Sequence, residues 1–329
     1  MESNLPRARV CFAAQERYRI SIDERDCEAI PAGALRWDGM LPAVGDWVMA
    51  RPVEPGMAVI EEVLARATCI SRKQPGRGQS EQVLAANVDL IVLVTALDRD
   101  FNLRRLERYM VLAAESGAAT LVALNKAELC EDTAARLAEV QAIAPPGTPC
   151  VMLSALESVE PLRPFIGTGT VVLLGSSGVG KSTIVNALLG EDHQRTRAVR
   201  AHDSKGLHTT THRMLLALAG GGALIDTPGL RELALWASQP ALDEVFGDIA
   251  GLAAGCRFGD CGHTGEPGCT VAAALESGAI APERWESYLK LQREINYLKR
   301  TTDRHAAAEE KQRWKAIHKA MRHHPKYRR

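Results

Sequence analysis

The chain has 329 residues, of which 46% are hydrophobic and 24% are charged, and its 40 basic residues balance its 40 acidic ones. This composition is ordinary for a globular protein and excludes a fibrous or wholly disordered class. The length favours two or three domains, because single hydrophobic cores rarely grow beyond roughly 250 residues. With no net charge, any contact with nucleic acid has to come from local clusters of basic residues.

Neither an export signal nor a membrane span is predicted. Segment 1–10 carries three charged residues and lacks an apolar run of signal-peptide length. The most apolar stretch, Val88 to Ala96, is well short of the roughly 20 residues that a span needs. We therefore predict a cytoplasmic protein without membrane contact. Five scattered cysteines are expected to be free thiols: Cys11, Cys27, Cys69, Cys130 and Cys150.

Short β-like runs separated by turn residues occupy the chain from about residue 7 to residue 70. Examples are Arg17–Ile22, Asp46–Ala50 and Ala58–Val63. This pattern predicts a small β-barrel. The polar, glycine-containing segment Ser71–Gln82 that follows is predicted to be a linker.

Continuous apolar strands then alternate with helical patterns, which indicates a parallel sheet covered on both faces. Ligands of such sheets bind at the carboxyl ends of the strands. Arg213–Ala219 and Ala223–Ile225 are predicted to form a hairpin at one edge of the sheet, and the chain beyond about residue 240 is predicted to be helical. The strands of the sheet are predicted at Val88–Thr95, Ala119–Leu124, Cys150–Leu153 and Thr170–Leu174, and its helices at Leu103–Ser116, Asp132–Ile143 and from Lys181.

A phosphate-binding loop follows the strand Thr170–Leu174. The segment from Gly175 to Ser182 matches the P-loop pattern and lies between an apolar strand and a helix, which a chance Gly-Lys-Ser turn would not explain. Its glycines let backbone N–H groups and a helix N-terminus face an anion. We expect Lys181 to reach the β- and γ-phosphates and Ser182 to bind Mg²⁺. The predicted phosphate-binding residues of this loop are Gly175, Ser176, Ser177, Gly178, Val179, Gly180, Lys181, Ser182 and Thr183.

A second phosphate motif, Asp226-Thr227-Pro228-Gly229, follows the apolar strand Ala223–Ile225. A Pro-Gly turn is common taken alone, but downstream of a P-loop it indicates a nucleotide site. Asp226 is expected to hold the metal through water, and the Gly229 N–H to contact the γ-phosphate.

The polar segment Ser204–His212 lies between these two motifs. Such a loop can supply a threonine hydroxyl to Mg²⁺ only while the γ-phosphate is present, which would make it a switch. Thr210 is the predicted ligand, with Thr209 next, and an edge strand remains an alternative for a run of threonines. The predicted magnesium ligands are thus Ser182, Thr210 and Asp226.

A guanine-reading loop is predicted where Asn125-Lys126-Ala127-Glu128 follows the strand Ala119–Leu124. The Glu128 carboxylate can accept hydrogen bonds from guanine N1–H and N2–H₂, which adenine lacks, and such sites discriminate by roughly 10⁴-fold or more. Asn125 is expected to brace the loop, and Lys126 to lie over the ring. Ser154-Ala155-Leu156 can offer a backbone N–H to guanine O6. The predicted base-binding residues are Asn125, Lys126, Glu128, Ser154 and Ala155.

The base motifs precede the P-loop, which reverses the usual order. Because every motif lies on a loop at the carboxyl end of a strand in one sheet, cutting and rejoining the chain elsewhere preserves the site. The permuted order also makes the loop after Asp226 lead directly into the C-terminal region. We hypothesise that switch motion is passed to that region.

Four metal-ligating residues crowd into one short segment, Cys256, Cys261, His263 and Cys269, in a C-x4-C-x-H-x5-C pattern. Three thiolates and an imidazole without an open position suit one closed, structural Zn²⁺ site, and chance clustering of free cysteines is the alternative. From Lys311 onward basic residues accumulate without acidic ones, together with Trp314 and Tyr327. This tail is predicted to bind RNA, although a solvated tail is equally compatible with charge alone.

With these motifs the sequence resembles the ribosome small-subunit-dependent GTPase A family (RsgA), bacterial circularly permuted GTPases that act in ribosome maturation. The resemblance covers nearly the whole chain and rests on Gly45-Asp46-Trp47-Val48, Gly206–Thr211, the nucleotide motifs and the Cys/His segment. It implies an N-terminal OB-fold (1–72), a permuted P-loop GTPase domain (80–238) and a mainly helical zinc-binding domain with a basic tail (239–329).

The resemblance also implies an activity, which is GTP hydrolysis stimulated by the small (30S) ribosomal subunit, whose late maturation the family assists. The implied partners are the 30S subunit with its rRNA and GTP or GDP, and the expected state is a monomer. Two other functions remain open. One is a zinc-stabilised RNA-binding protein whose binding is gated by nucleotide, and the other is a permuted GTPase that serves another partner.

Two positions bear on how such an enzyme would work. Glu128 stands where Asp is more usual in the family, and we expect this difference to alter affinity or base selectivity. Leu230 stands where many GTPases carry a Gln that positions the attacking water, so unaided hydrolysis is expected to be slow. His208 is our candidate for orienting the water, with His212 as a second and a merely solvated histidine as the alternative. The predicted catalytic residues are His208 and Thr210.

Overall fold

The computed structural model describes residues 5–14, 17–23, 25–37, 39–73, 81–190, 213–226 and 237–302. Several predicted features lie outside these residues: Thr209, Thr210, His208, His212, Gly229, Leu230 and the basic tail from Lys311.

A closed barrel is formed by the first strands, which pair in the order β1-β2-β3-β5-β4 and return from β4 to β1. The pairing of β3 with β5 is parallel, and the others are antiparallel. Alternate residues point inward, so that Val10, Ile20 and Ile60 are fully buried. The predicted OB-fold barrel is confirmed. The elements are β1 (Arg7–Ala14), β2 (Arg17–Ile22), β3 (Arg25–Pro31), α1 (Gly33–Trp37), β4 (Trp47–Glu54) and β5 (Met57–Val63).

The predicted linker was wrong at both of its ends. Strands β6 (Cys69–Lys73) and β7 (Glu81–Ala86) pair antiparallel, and their register joins Arg72 to Gln82 and Lys73 to Glu81. Polar side chains made this segment resemble a linker, but a two-stranded ribbon tolerates them because one of its faces meets solvent.

A predominantly parallel sheet follows, with the order β10-β9-β8-β11-β13-β12. Helix α2 begins and ends where the sequence predicts, because the Asn102 side chain accepts from the Arg105 N–H and Gly117 adopts the left-handed conformation. The strands are β8 (Leu90–Ala96), β9 (Ala119–Asn125), β10 (Cys150–Met152), β11 (Thr170–Leu174), β12 (Arg213–Ala217) and β13 (Ala223–Asp226). The helices are α2 (Leu103–Ser116), α3 (Thr133–Ile143), α4 (Arg163–Ile166) and α5 (Lys181–Leu189).

Both faces of this sheet are buried, as the continuous apolar strands predict. Every residue of β8 and of β11 is buried, because alternate side chains enter two separate hydrophobic clusters. One cluster contains Ile91, Leu93 and helix α2, and the other contains Val92 and Val94. The parallel strands therefore present their carboxyl ends together at one edge, where the nucleotide motifs follow them.

The β12–β13 hairpin lies at one end of the predominantly parallel sheet, as predicted, but β12 is not a free edge strand. Strand β12 pairs antiparallel with barrel strand β1, and the register joins Phe12 to Met214 and Ala13 to Arg213. Among the described residues, the strands of the barrel and of the parallel sheet thus form one sheet of eleven strands. An unpaired β12 would expose a row of backbone donors and acceptors, and β1 pairs with the first two residues of that strand.

The C-terminal region is helical, as predicted. Its helices are α6 (Gln239–Val245), α7 (Gly247–Ala254), α8 (Thr270–Glu276) and α9 (Pro282–Thr302). The Arg284 guanidinium of α9 is buried between Glu107 of α2, at 2.9 Å, and Asp248 of α7, at 2.6 Å. This ion-pair network fixes the C-terminal helices against helix α2 of the parallel-sheet domain. Among the described helices, none has the length and apolar character required to cross a lipid bilayer.

Candidate nucleotide site and metal centre

Four loops meet at the carboxyl edge of the parallel sheet. Asn125 ends β9, the loop from Ser154 follows β10, Gly175 follows β11 and Asp226 ends β13. These strands are neighbours or next neighbours in the sheet, so residues far apart in the chain are brought to one side of it. The predicted base and phosphate motifs therefore emerge together.

The side chain of Asn125 connects the two base loops to the P-loop. Its amide nitrogen donates to the Val179 carbonyl oxygen over 2.8 Å, and its amide oxygen accepts from the Ala155 N–H over 2.9 Å. Asn125 is only 2% exposed, so these hydrogen bonds are shielded from competing water. A second tie joins the base loops, because the Ala127 N–H donates to the Leu153 carbonyl over 3.2 Å.

Two glycines of the P-loop are required by close approach. A Cβ on Gly180, whose φ is +98°, would lie 2.1 Å from the Asn125 amide nitrogen. A Cβ on Gly175 would lie 2.3 Å from the Val94 carbonyl oxygen. Any side chain at either position would separate the P-loop from the strands beside it.

The N-terminus of α5 faces the end of the P-loop. Its N-cap is Gly180, and in the described structure no side chain caps its first turn, so backbone N–H groups there remain available to an anion. The Lys181 ammonium donates to the carbonyl oxygens of Gly175, at 2.7 Å, and Ser176, at 2.5 Å, and so spans the loop. Ser182 and Thr183 follow in the first turn of the helix.

The residues predicted to read the base differ in how firmly they are held. Lys126 has a left-handed backbone, with φ +61°, and its ammonium donates to a carboxylate oxygen of Asp98 over 2.6 Å. Glu128 lies in a short 3₁₀ turn and is exposed. The Ser154 hydroxyl is buried, and it has no hydrogen-bond partner among the described residues. The arrangement leaves a carboxylate and an orphaned hydroxyl on the two base loops.

Sequence reasoning missed two acidic residues beside these motifs. Asp98 holds Lys126, and a carboxylate oxygen of Asp100 accepts from the Ser176 hydroxyl of the P-loop over 3.0 Å. Both residues follow β8, which lies between β9 and β11 in the sheet. The hydrogen bond from Lys126 lowers the pKa of Asp98. The sequence could have indicated them only by position. Because β8 lies between β9 and β11, the loop that follows β8 has to lie between the predicted base loop and the P-loop.

The four predicted zinc ligands converge. Their ligand atoms all lie within 4.8 Å of one another. The His263 Nδ1 is 3.5 Å from the sulfurs of Cys256 and Cys269, and those two sulfurs are 3.9 Å apart. Tetrahedral zinc with Zn–S of about 2.3 Å and Zn–N of about 2.0 Å places its ligand atoms roughly 3.5–3.8 Å apart. The residues therefore fit one zinc ion with a closed set of four ligands.

The loop around this cluster is organised by its own hydrogen bonds. The Glu266 carboxylate accepts from the backbone N–H groups of Gly262, at 2.9 Å, and Thr264, at 2.7 Å. Backbone N–H groups, its own first, lower the pKa of Glu266 to about 2. A hydrogen bond with the Thr270 hydroxyl is the main cause that lowers the pKa of Cys256 to about 6. The neighbouring Cys261 shifts the other way: despite a hydrogen bond with the His263 backbone, burial and the sulfurs of Cys269 and Cys256 raise its pKa to about 11.

The geometry and the chain order together define a class of protein. Base loops and phosphate loops meet at one edge of a parallel sheet, and the base loops come first in the chain. This is the arrangement of a circularly permuted GTPase.

Comparison with known proteins identifies the family within that class. The model of the family described as RsgA GTPase matches residues 63–236. A relative from Opitutus terrae named "Small ribosomal subunit biogenesis GTPase RsgA" is 50% identical over 86% of this chain and 80% of its own length. A relative of the same name from Leptospira interrogans is 41% identical over 95% of this chain and 89% of its own length. The solved structure of YjeQ from Thermotoga maritima is similar with a TM-score of 0.65 and 28% identity, covering 88% of this chain and 98% of that one. The chain belongs to the RsgA GTPase family, and it is a GTP hydrolase.

Proposed function

We propose that this chain hydrolyses GTP in response to the small ribosomal subunit and assists the late maturation of that subunit. The observation that carries the proposal is the contact of Asn125 with Val179 and Ala155, which brings the predicted base and phosphate loops together. The partner comes from the relatives, whose printed name assigns them to small ribosomal subunit biogenesis.

Base selection is assigned to the two loops that Asn125 joins. Glu128 would accept from guanine N1–H and N2–H₂, and its exposed position leaves the carboxylate free to meet a base. Ala155 would share its backbone N–H between the Asn125 amide oxygen, to which it donates over 2.9 Å, and guanine O6, and Lys126 would cover the ring. The buried Ser154 hydroxyl has no hydrogen-bond partner among the described residues. The neighbouring base loop would supply one when a nucleotide is bound.

Phosphate binding is assigned to Gly175–Thr183, together with Asp226 and Gly229. The uncapped first turn of α5 and the glycines of the loop supply N–H groups, and Lys181 supplies a positive charge where negative charge develops. Ser182, Thr210 and Asp226 would hold Mg²⁺, which when bound neutralises charge on the β- and γ-phosphates. We keep His208 as the residue proposed to orient the attacking water, because Leu230 has no group that can do so.

The remaining assignments follow from the same family. One Zn²⁺ is proposed to hold the loop of Cys256, Cys261, His263 and Cys269, with a structural role. Domain boundaries are proposed at 1–72, 80–238 and 239–329, although the first falls inside the β6–β7 ribbon. Contact with rRNA through the barrel and the basic tail, a monomeric state and a cytoplasmic location complete the proposal.

Co-sedimentation with purified ribosomal subunits tests the choice of partner. The full chain is expected to pellet with the small subunit in the presence of a non-hydrolysable GTP analogue and to remain in solution with GDP. It should not pellet with the large subunit. Equal binding to both subunits would indicate a GTPase that serves another partner. Nucleotide-gated binding to free RNA without any effect on GTP turnover would indicate an RNA-binding protein instead.

A further inference from the structure

The loop that follows β8, residues 97–102, touches both halves of the proposed nucleotide site, although it carries none of the motifs. The Asp98 carboxylate accepts a hydrogen bond from the Lys126 ammonium over 2.6 Å, and the Asp100 carboxylate accepts one from the Ser176 hydroxyl over 3.0 Å. The strand ends are also joined, because the Leu97 N–H donates to the Asn125 carbonyl over 2.8 Å. The base loop and the P-loop therefore share one support.

The Asp98 side chain is held in place by its own loop and by Lys126. One carboxylate oxygen accepts from the Asp100 backbone N–H over 2.9 Å, and the other accepts from Lys126. The Asp98 carbonyl accepts from the Phe101 N–H over 3.0 Å, which closes a turn around the residue. The carboxylate is thus a fixed anchor and not a mobile counter-ion on the surface.

Anchoring matters because Lys126 has a long, flexible side chain. Fixing a lysine side chain costs conformational entropy. If the side chain becomes fixed only when the ligand binds, that cost is subtracted from the binding free energy and the affinity falls. Both side chains are about three-quarters buried, with 28% of Lys126 and 25% of Asp98 exposed, so water screens the pair only in part.

We propose that Asp98 is a positioning residue for guanine-nucleotide binding, because it fixes the Lys126 side chain in place for the base. This inference rests on the proposed function of the base loops. Asp98 acts through Lys126 and touches neither the phosphates nor the Watson–Crick edge of the base. Its loss therefore weakens GDP and GTP alike and leaves the discrimination between guanine and hypoxanthine unchanged, since that discrimination comes from the guanine 2-amino group.

A double-mutant cycle between Asp98→Asn and Lys126→Ala tests the coupling. The Kd of a fluorescent GDP derivative is measured for the zinc-loaded full chain, with unlabelled GDP, GTP and inosine diphosphate as competitors. Asp98→Asn is expected to raise the Kd of every guanine nucleotide about three- to tenfold, less than the full effect of a charge-assisted hydrogen bond, because the pair is partly exposed and Asp98 only orders Lys126. In the Lys126→Ala background the same change is expected to alter Kd less than 1.5-fold, by the same coupling argument. The KM for GTP should rise with Kd, while kcat stays within about twofold of wild type.

Glu61→Gln is the matched control, because it also removes a carboxylate from an ion pair, with Arg51 at 2.8 Å, but lies in the barrel. It should leave Kd unchanged. Asp98→Glu keeps the charge and should retain most of the affinity. If Asp98→Asn unfolds, Asp98→Ser keeps an acceptor for the Asp100 N–H and enters the same cycle.

An unchanged Kd in Asp98→Asn, or an equal loss in both backgrounds, would overturn the role of Asp98. The wild-type titration separates this failure from a failure of the proposed function. Absence of guanine-nucleotide binding by the wild-type chain would overturn the function itself, whereas normal wild-type binding with no coupling would overturn only the positioning role.

Discussion

Asn125 donates its side-chain amide to the Val179 carbonyl oxygen over 2.8 Å, and this contact joins two loops that are about fifty residues apart in the chain. The same amide group accepts from the Ala155 N–H, so three loops depend on one buried side chain. The base loops and the P-loop follow different strands of the sheet, β9, β10 and β11, and are separate loops. A side-chain bridge between them keeps the distance from base to phosphates fixed.

Asn125→Ala is expected to weaken GDP and GTP binding about ten- to hundredfold. The change unpairs the Val179 carbonyl and the Ala155 N–H and so frees the base loops from the P-loop; ten- to hundredfold is about 1.4–2.7 kcal/mol, the range for one unpaired buried polar group. Titration with a fluorescent GDP derivative measures the effect. Asn87→Gly is the control, because Asn87 also makes two hydrogen bonds, with Gly45 and Ala67, but at the barrel junction, and its φ of +52° suits glycine. It should lower stability while leaving Kd within about twofold; equal losses of affinity would refute the bridging role.

Glu128→Gln is expected to change which base is preferred. The glutamine amide keeps one acceptor oxygen, but its NH₂ group cannot accept the second hydrogen bond that guanine donates. The NH₂ group can instead donate to the 2-carbonyl oxygen of xanthine. The affinity for GDP should fall at least tenfold, and that for xanthosine diphosphate should rise above it, in line with the penalty for unpaired polar groups. Competition between GDP, xanthosine diphosphate and ADP provides the measurement. Glu128→Asp, which keeps the carboxylate, should still prefer GDP. An unaltered preference in Glu128→Gln would show that another group reads the base.

The purified chain is expected to contain close to one zinc ion. Cys261→Ser should lose most of it, because the substitution leaves only three of the four ligands of a closed tetrahedral site. The His263 ring packs edge-on against Trp285 with centroids 5.8 Å apart, so removing zinc with a chelator should also change tryptophan fluorescence. Elemental analysis measures the zinc content, and Trp285→Phe shows which tryptophan responds. Cys130→Ser, which removes a cysteine outside the cluster, should keep its zinc. Full zinc content in Cys261→Ser would exclude this ligand set.

Arg284→Met is expected to lower the free energy of unfolding by about 3–5 kcal/mol, the range for breaking a buried ion pair. Arg284 is 7% exposed and Glu107 is fully buried, and one oxygen of Glu107 already lacks a partner among the described residues. Urea denaturation followed by circular dichroism measures the change. Arg51→Met breaks the exposed pair with Glu61 and should cost less than about 1 kcal/mol. Similar losses in the two variants would mean that the buried network does not hold the C-terminal helices.

Local signals in the sequence were sufficient for most elements and for the motif loops. Helix α2 has an N-cap residue, Asn102, and a C-cap residue, Gly117, encoded beside it in the chain. Strand β11 is an uninterrupted apolar run before the P-loop. The Cys/His spacing likewise predicted a cluster that the structure assembles. These features depend on neighbours in the chain, which a single sequence contains in full.

Long-range pairing was not predictable in the same way. The partner of β12 is β1, about 200 residues earlier, and no turn or spacing encodes that register. Asp98 was missed because its loop has no motif of its own, and its role depends on β8 lying between β9 and β11. The ends of the predicted linker were missed because polar residues hide a two-stranded ribbon. Each error concerned which strands become neighbours.

The rate of GTP hydrolysis with and without purified small ribosomal subunits tests the central claim most directly. Leu230 cannot orient water, so the chain alone should turn over slowly, and small subunits should raise the rate tenfold or more, as partner-supplied groups do in other GTPases. Lys181→Ala, which removes the charge that spans the P-loop, should show no stimulation. A rate that small subunits leave unchanged, or that large subunits raise equally, would contradict a GTPase that acts on the small subunit.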